Sequence, residues 1–265
     1  MATTKTNIKA LFFDIDGTLV PFGRKSVEDS TLEAIAEAHK KGIKIIIATG
    51  RAKAIINNLG ILQENALIDG YVTLNGAYCI LGNKVIRDTP LQGSIVENTA
   101  GFCQKENATC IFVQEKTVCV CNPGKELERI FYDYLHVDRI AESNFENAVK
   151  LKTYQLTPFI TVSQEERLAP MLGTADRGRW NPAFVDITAA LKSEGLDAFC
   201  KKLGFEISET MAFGDGGNDI AMLKHSGIGV ALGQANEKVK AAADYVTTPC
   251  GENGIWNALK HFEII

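Results

Sequence analysis

The stretch LFFDIDGTLV, residues Leu11–Val20, begins as an apolar run and then carries two aspartates, Asp14 and Asp16. Its first residues are typical of a buried strand. A carboxylate in such a place is unfavourable unless solvent, a cation or a chemical role compensates for its lost hydration. The rest of the sequence must therefore explain why two acids stand at the end of this strand.

The composition is that of an ordinary globular protein. The chain has 265 residues, of which 46% are hydrophobic and 23% charged, and a formal net charge of −4. This length suits one large domain or two smaller ones. The acidic balance gives no reason to expect nucleic acid or an anionic membrane as a partner.

The sequence favours a cytoplasmic protein. No apolar run approaches the ~20 residues that span a bilayer, and carboxylates interrupt the apolar segment near the N-terminus, unlike a signal peptide. The seven cysteines are odd in number and lack C-x-x-C spacing, so neither a disulfide framework nor a zinc ribbon is expected. We expect them to be small buried hydrophobic residues in a reducing compartment.

Strands and helices alternate at both ends of the chain. In the first part, strands are predicted at Ala10–Phe13, Ile43–Ala48 and Tyr71–Leu74, with helices after Ser30 and at Ile55–Leu59. In the last part, helices are predicted at Ser193–Leu203 and Ile220–His225, and strands at Thr210–Phe213, Ile228–Leu232 and Asp244–Val246. This alternation predicts an α/β fold with a doubly wound parallel sheet, similar to the Rossmann fold.

The middle of the chain has a different pattern. Strands are predicted at Lys84–Arg87, Cys110–Gln114, Val118–Cys121, Tyr154–Val162 and Pro182–Ile187, and helices at Gly93–Glu106, Lys125–Leu135 and Gln164–Leu172. Adjacent strands without a helix between them indicate antiparallel pairing. We therefore expect a core domain of residues 1–81 and 187–265, and an inserted α+β domain of residues 82–186.

Polar residues follow four strands of the predicted core sheet: Asp14-Ile-Asp16, Thr49-Gly50, Asn75-Gly76 and Gly214–Asp219. Ligands of open α/β sheets bind beyond the carboxyl ends of the strands, and parallel strands bring those ends to one edge. The acids Asp14, Asp16, Asp215 and Asp219 are thus expected together.

Such a group of carboxylates repels itself unless a cation joins it. A site with only oxygen ligands and a small number of protein carboxylates is typical of Mg²⁺. This ion usually retains water ligands and takes further oxygens from a substrate phosphate. Thr49, Gly50 and Lys192 would supply a hydroxyl, a backbone N–H and a positive charge to the remaining phosphate oxygens. Asp14 can then attack phosphorus to form an aspartyl-phosphate, while Asp16 protonates the leaving alcohol and later activates water.

These residues closely resemble the motifs of the haloacid dehalogenase superfamily of phosphatases. The matching segments are DIDGTL, ATGR, the helix-opening Lys192 and GDGGND, in that order over nearly the whole chain. The segment Asn75-Gly76-Ala77 and the insertion after the third strand look like the Cof-type branch, with an α+β cap of the C2B type. An aspartate at position 16 favours a phosphatase over a dehalogenase.

The resemblance implies a role for each motif residue. Asp14 is the nucleophile, Asp16 the general acid/base, and Thr49, Gly50 and Lys192 bind phosphate. Mg²⁺ is held by Asp14, the backbone carbonyl of Asp16 and Asp215, with support from Asn218 and Asp219. Serine follows Lys192 where many relatives have glycine, which leaves Lys201 and Lys202 as weaker alternatives on the same helix.

Two other motif interpretations do not fit the sequence. The DIDGTL segment lacks the glycine and the acid that an EF-hand requires at its sixth and twelfth positions, and Gly17–Ser26 has the wrong spacing for a P-loop. Asn75 is either a substrate contact or a cap of a strand end, and Arg51 either contacts substrate or pairs with an acid. A phosphomutase, with the same core, and a non-catalytic phosphate-binding module are the rival functions.

The leaving group must be recognised by the inserted domain, because the core motifs contact only the phosphoryl group. A cap of this size favours a small phosphorylated metabolite, with hexose phosphates the first expectation and pyridoxal phosphate the second. Arg179 offers donors to hydroxyls or to an anion, and Trp180 a face for a sugar ring. The alternatives are an ion pair of Arg179 with an acid such as Asp176 and a core position for Trp180.

Overall fold

The computed structural model describes residues 7–114, 117–135 and 137–265, and for Trp180 the backbone alone. Its strands, in chain order, are β1 (Ala10–Phe13), β2 (Lys44–Ala48), β3 (Gly70–Thr73), β4 (Tyr78–Leu81), β5 (Lys84–Asp88), β6 (Cys110–Gln114), β7 (Val118–Cys121), β8 (Ala141–Ser143), β9 (Thr153–Pro158), β10 (Asp176–Asn181), β11 (Phe184–Thr188), β12 (Thr210–Gly214), β13 (Ile228–Ala231) and β14 (Tyr245–Val246).

The α-helices are α1 (Asp29–Lys40), α2 (Gly60–Glu64), α3 (Gly93–Glu106), α4 (Lys125–Leu127), α5 (Phe145–Ala148), α6 (Val162–Leu168), α7 (Lys192–Leu203), α8 (Ile220–His225), α9 (Glu237–Lys240) and α10 (Gly254–His261). A π-helix, Glu128–Tyr134, continues α4. Short 3₁₀ turns lie at Lys53–Ile55, Leu74–Gly76, Ala169–Met171, Ile207–Glu209, Gly217–Asp219 and Cys250–Glu252. Among the described residues there is no helix both long and apolar enough to cross a lipid bilayer.

The larger sheet has the order β14-β13-β12-β1-β2-β3-β4-β5, and β1 lies inside it between β12 and β2. The pairs from β14 to β3 are parallel. Successive side chains of β1 point to opposite faces. Phe13 stacks on Phe213 in the core beside α1 and α10, whereas Phe12 meets Phe199 of α7 edge to face. Helices thus cover both faces, and the prediction of a doubly wound α/β sheet is confirmed.

The hairpin β4–β5 corrects one strand assignment. The strand at Lys84–Arg87 was expected in the inserted domain, but β5 pairs antiparallel with β4 at the end of the larger sheet. Only Gly82 and Asn83 separate the two strands, and Gly82 has a positive φ of 55°. So short a connection joins neighbouring antiparallel strands. The helix expected at Ile55–Leu59 is also not found among the described residues. A 3₁₀ turn at Lys53–Ile55 and helix α2 at Gly60–Glu64 are present instead.

The smaller sheet has the order β10-β11-β9-β6-β7-β8. Its pairs are antiparallel except β7–β8, and the adjacent strands β6 and β7 pair as expected. Strands β8 and β10 were not predicted. One face carries Phe112, Leu156 and Val185 and packs against α3, α5 and α6. We propose that the inserted domain begins after Asp88 and returns to the core after β11, close to the boundaries expected from the sequence.

Candidate active site

Asp14 lies at the end of β1 and contacts the first residue of α7. Its Oδ1 is 2.6 Å from Nζ of Lys192, and the same ammonium group is 2.6 Å from Oδ1 of Asp219. Lys192 and Asp219 are wholly buried, and Asp14 nearly so. The structure therefore brings together two acids and a lysine that are far apart in the sequence. Lys201 and Lys202, the alternative lysines, lie exposed further along α7.

Burial and charge act in opposite directions in this group. Burial lowers the pKa of Lys192, but Asp14 and Asp219 outweigh it, so the pKa stands above its ordinary value and the lysine stays charged. Burial raises the pKa of Asp14 well above its ordinary value; Lys192 opposes this effect and the neighbouring acids add to it. One ammonium group thus does not fully offset the cluster of carboxylates.

Asp215 follows β12 and completes the acidic cluster. Thr18 donates a hydrogen bond to its Oδ1 at 3.2 Å, and burial, reinforced by Asp219, raises the pKa of Asp215 to about 7. Gly17 leaves room for this carboxylate, since a Cβ there would lie 2.2 Å from Oδ2 of Asp215. Gly17 also has a φ of 85°, which a residue with a side chain rarely adopts.

The donor set fits a divalent cation. One oxygen from each of Asp14, Asp215 and Asp219 lies within 4.8 Å of the others. Asp219 already binds Lys192 with Oδ1 and accepts from the backbone N–H groups of Asp215 and Gly216 with Oδ2, at 3.0 and 2.9 Å. Asp219 thus supports the cluster, and Asp14 and Asp215 keep oxygens for an ion. Hard oxygen ligands of this kind suit Mg²⁺.

Thr49, Gly50 and Asn218 lie beside the acids, on the wall of a cavity of about 720 Å³. The hydroxyl of Thr49 accepts from the backbone N–H of Arg51 at 3.1 Å. Asn75, in a left-handed conformation with a φ of 51°, accepts a 3.0 Å hydrogen bond from Nδ2 of Asn218. Asn75 is thus buried behind Asn218, which it positions, and is not among the residues that line this cavity.

Asp16 points into the same cavity but is held by Arg51. Nε and Nη2 of Arg51 each donate to one oxygen of Asp16 at 2.7 Å, which is a bidentate ion pair. Of the two roles open to Arg51 from the sequence, the structure shows the ion pair. The partner is the residue expected to act as general acid/base.

The central cavity, as we call this 720 Å³ space, lies between the larger and smaller sheets. The core contributes Asp14, Asp16 and Asp215, and β6, β7, β9 and β11 contribute the opposite wall. Most of that wall is apolar, with Ile111, Val113 and Phe184 among its residues. At the cavity edge Phe22 of the core stacks on Tyr134 of the π-helix, with ring centroids 6.4 Å apart.

Arg179 lines the central cavity, yet its donors are used within the smaller sheet and its neighbours. Nε binds Glu165 at 2.7 Å, and the two Nη atoms donate to the carbonyls of Pro182 and Ile160 at 2.9 and 3.0 Å. The expected alternative, an ion pair, is therefore present, although with Glu165 rather than Asp176. The side chain of Trp180 lies outside the described residues, so its sugar-stacking role stays a prediction.

The lining residues that were not singled out from the sequence include Gln155, Thr157 and Asp186. Burial raises the pKa of Asp186 to about 6, while hydrogen bonds from Thr157 and Gln155 oppose the shift. The segment Thr153–Pro158 did carry a signal, because polar residues at 153, 155 and 157 alternate with Tyr154 and Leu156. Such a period of two puts the polar side chains on one face of a strand.

Comparisons with known proteins agree with this geometry. Residues 11–259 match the family model of haloacid dehalogenase-like hydrolases. The structure of the HAD subclass IIB sugar phosphatase BT4131 is 53% identical and superposes with a TM-score of 0.93, over 97% of this chain and 100% of that one. The phosphatase BT1666 from Bacteroides thetaiotaomicron is 33% identical, with a TM-score of 0.87, over 100% and 98% of the two chains.

A more distant relative has a named substrate. The 5-amino-6-(5-phospho-D-ribitylamino)uracil phosphatase YcsE of Bacillus subtilis is 27% identical over 266 residues, which cover 97% of this chain and 96% of that protein. The full-length family match and the motif residues gathered at one sheet edge lead to the same conclusion. The chain belongs to the haloacid dehalogenase-like hydrolases, of the Cof-type branch, and is a phosphatase of that family.

Proposed function

We propose that the protein is a Mg²⁺-dependent phosphatase that hydrolyses sugar phosphates, hexose phosphates foremost, through an aspartyl-phosphate at Asp14. The observation that carries this proposal is the group of Asp14, Lys192, Asp219 and Asp215, of which Asp14 and Asp215 line the cavity between the two sheets. Release of inorganic phosphate from hexose phosphates, dependent on Mg²⁺, tests it. Isomerised sugar without phosphate release would instead identify a phosphomutase.

The reaction is a double displacement. A carboxylate oxygen of Asp14 attacks phosphorus as the ester P–O bond breaks, and Asp16 gives a proton to the departing alcohol oxygen. Asp16 then takes a proton from a water molecule that attacks the same phosphorus and frees Asp14. Thr49, the Gly50 backbone N–H and Lys192 hold the phosphoryl oxygens. Bound Mg²⁺ would supply positive charge against those oxygens, with Asp14, the Asp16 carbonyl and Asp215 as its protein ligands.

Arg51 is a positioning residue in this scheme. Its fork fixes both oxygens of Asp16, which sets the direction of the carboxylate toward the cavity. When Asp16 carries the proton that it delivers to the leaving group, its charge is lost and the bidentate pair with Arg51 must loosen. We therefore propose that substrate contact replaces part of the Arg51 pair.

Replacing Asp16 with alanine should affect poor leaving groups most. General acid catalysis contributes about 10²–10⁴-fold when the leaving oxygen needs a proton. The loss of kcat/KM on a hexose phosphate should be of that order, and clearly smaller on p-nitrophenyl phosphate, whose leaving group departs as a stable anion. Equal losses on both esters would show that Asp16 instead maintains the geometry of the site.

Replacing Asp215 with alanine should raise the Mg²⁺ concentration needed for half-maximal activity. Loss of a residue that only supports a metal ligand weakens metal binding by about 10–100-fold. Because Asp215 is proposed as a direct ligand, the required Mg²⁺ concentration should rise by at least that factor. Asp215→Asn, which keeps one oxygen donor, should fall between the wild type and the alanine variant. Full wild-type activity in excess EDTA would contradict the metal assignment.

The choice of sugar phosphates rests on the cavity and the relatives. A cavity of about 720 Å³ suits a small metabolite rather than a protein or a duplex. BT4131 is named a sugar phosphatase, and the substrate named for YcsE carries a phosphorylated ribityl chain. Pyridoxal phosphate is the second candidate substrate. All seven cysteines are unpaired and buried, in keeping with our proposal of a reducing, cytoplasmic location.

A further inference from the structure

The smaller sheet presents a compact polar group to the central cavity, which we call the β9–β11 patch: Gln155, Thr157 and Asp186. Oδ1 of Asp186 accepts from the Thr157 hydroxyl at 2.6 Å and from Nε2 of Gln155 at 3.1 Å. The same Nε2 is 3.3 Å from Oγ1 of Thr157. These internal hydrogen bonds hold the three side chains in one arrangement.

Two acceptors remain unused in this patch. Gln155 is 94% buried, with 6% of its surface exposed, and its Oε1 has no hydrogen-bond partner among the described residues. Oδ2 of Asp186 likewise makes no hydrogen bond within the described part of the chain, because both donors in the patch go to Oδ1. A buried acceptor without a donor is unfavourable. Both residues line the central cavity, where a ligand would supply the missing donors.

The surroundings define the chemistry of that ligand. Ile111 and Thr157 are register partners on β6 and β9, as are Val113 and Gln155, so the polar patch adjoins an apolar strip of the same sheet face. A chain or ring with hydroxyls on one side and C–H groups on the other matches this surface. The carboxylate of Asp186 disfavours a second anionic group, and the nearby Arg179 is already paired with Glu165.

We propose that the β9–β11 patch binds two hydroxyl groups of the leaving group and thereby selects neutral polyhydroxylated phosphate esters. The inference rests on the proposed function, because the acidic cluster must hold the phosphoryl group at the opposite wall of the central cavity. Gln155 and Asp186 act as specificity-determining acceptors. Thr157 positions Asp186 and turns its Oδ2 toward the ligand.

The experiment compares polyhydroxylated esters with alkyl esters of the same carbon number. The full-length enzyme is assayed with glucose 6-phosphate, ribose 5-phosphate and glycerol 3-phosphate against hexyl, pentyl and propyl phosphate, and with p-nitrophenyl phosphate. A site built to bind hydroxyls rejects analogues that lack them by large factors. We expect at least one polyhydroxylated ester to exceed its alkyl counterpart in kcat/KM by about 100-fold or more.

Two variants assign that preference to the patch. Gln155→Leu and Asp186→Asn should each reduce the ratio of kcat/KM on the polyol ester to kcat/KM on the alkyl ester by about 10-fold. This is the effect expected from the loss of one hydrogen bond to a charged or buried group. Glu106→Gln is the matched control, since it removes a carboxylate held by Arg167 and Gln164 away from the central cavity. Glu106→Gln should leave the ratio unchanged. Thermal unfolding of each variant checks that the chain is folded. If one of the two variants does not fold, Thr157→Val is assayed in its place.

Each failure has its own signature. The inference would be overturned if alkyl esters were cleaved as well as polyol esters, or if the variants lost equal kcat/KM on both kinds of ester. Cleavage of p-nitrophenyl phosphate in the same assays would still uphold the proposed function. Preference for a bisphosphate or a phosphorylated acid would also overturn it. Absence of phosphate release from every ester, p-nitrophenyl phosphate included, would overturn the proposed function and with it the inference.

Discussion

Asp14→Asn should reduce phosphate release to the background level, a loss on the order of 10⁴-fold or more, the scale on which removal of a nucleophile acts. The amide nitrogen and oxygen cannot form the aspartyl-phosphate, whereas the volume of the side chain is unchanged. Lys192 keeps its 2.6 Å contact with Asp219, so the buried ammonium group retains a carboxylate partner. The loss should therefore be one of chemistry rather than of folding.

The measurement is kcat/KM on p-nitrophenyl phosphate together with thermal unfolding. Asp197→Asn is the matched control, because Asp197 is an exposed carboxylate of α7 whose ion pair among the described residues is with His225. That variant should retain wild-type activity. Persistent turnover by Asp14→Asn, verified by mass to be free of deamidated protein, would refute Asp14 as nucleophile.

The same substitution should alter the pH dependence of stability in the presence of chelator. Burial raises the pKa of Asp14, and that of Asp215 to about 7 from 3.8. An acid with a raised folded-state pKa destabilises the fold increasingly as pH rises from its unfolded value through the folded one. Asp14→Asn removes one such group, so its melting temperature relative to wild type should increase as the pH rises above 3.8. A difference that does not change with pH would contradict the assigned shift.

Lys192→Met should cause the second large effect, on both activity and stability. The ammonium group is wholly buried and is the cation that holds Asp14 and Asp219 together. Removing one partner of a buried ion pair leaves uncompensated charge and lowers the free energy of unfolding by about 3–5 kcal/mol. The phosphoryl group would also lose a proposed positive contact, and kcat/KM should fall by at least about 10²-fold.

Lys202→Met provides the control on the same helix. Lys202 is exposed near the end of α7, and surface substitutions of this kind change the free energy of unfolding by less than about 0.5 kcal/mol. In urea unfolding and in activity assays, Lys192→Met should thus differ clearly from Lys202→Met, which should resemble the wild type. If Lys202→Met were the inactive variant, the assignment of the motif lysine would be wrong.

The core elements could be predicted because their signals are local. The strand Ala10–Phe13 and the helix Ile220–His225 have the predicted bounds, and α7 ends at Leu203 with Gly204 as its C-cap, as expected. Buried parallel strands appear as short apolar runs, and capping residues mark helix ends. Because a parallel sheet aligns its strand ends, the polar residues after β1, β2 and β12 were also expected to meet.

Pairings between distant residues could not be predicted. Nothing near Arg51 indicates a bidentate contact with Asp16, and nothing near Arg179 indicates Glu165 rather than Asp176. These contacts depend on side-chain directions that tertiary packing sets. The strand predicted at Lys84–Arg87 was assigned to the wrong sheet for a related reason. A strand shows its own pattern, whereas its partner depends on the connection, here the turn at Gly82.

The stereochemical course at phosphorus tests covalent catalysis most directly. The substrate is a phosphorothioate ester made chiral with oxygen isotopes and hydrolysed in water that carries a third oxygen isotope. The released thiophosphate has sulfur and three different oxygen isotopes on phosphorus, so its configuration can be determined. Attack by Asp14 and then by water comprises two in-line displacements, each with inversion, so the account predicts overall retention. Net inversion would show that water attacks the ester directly, and would contradict an aspartyl-phosphate at Asp14.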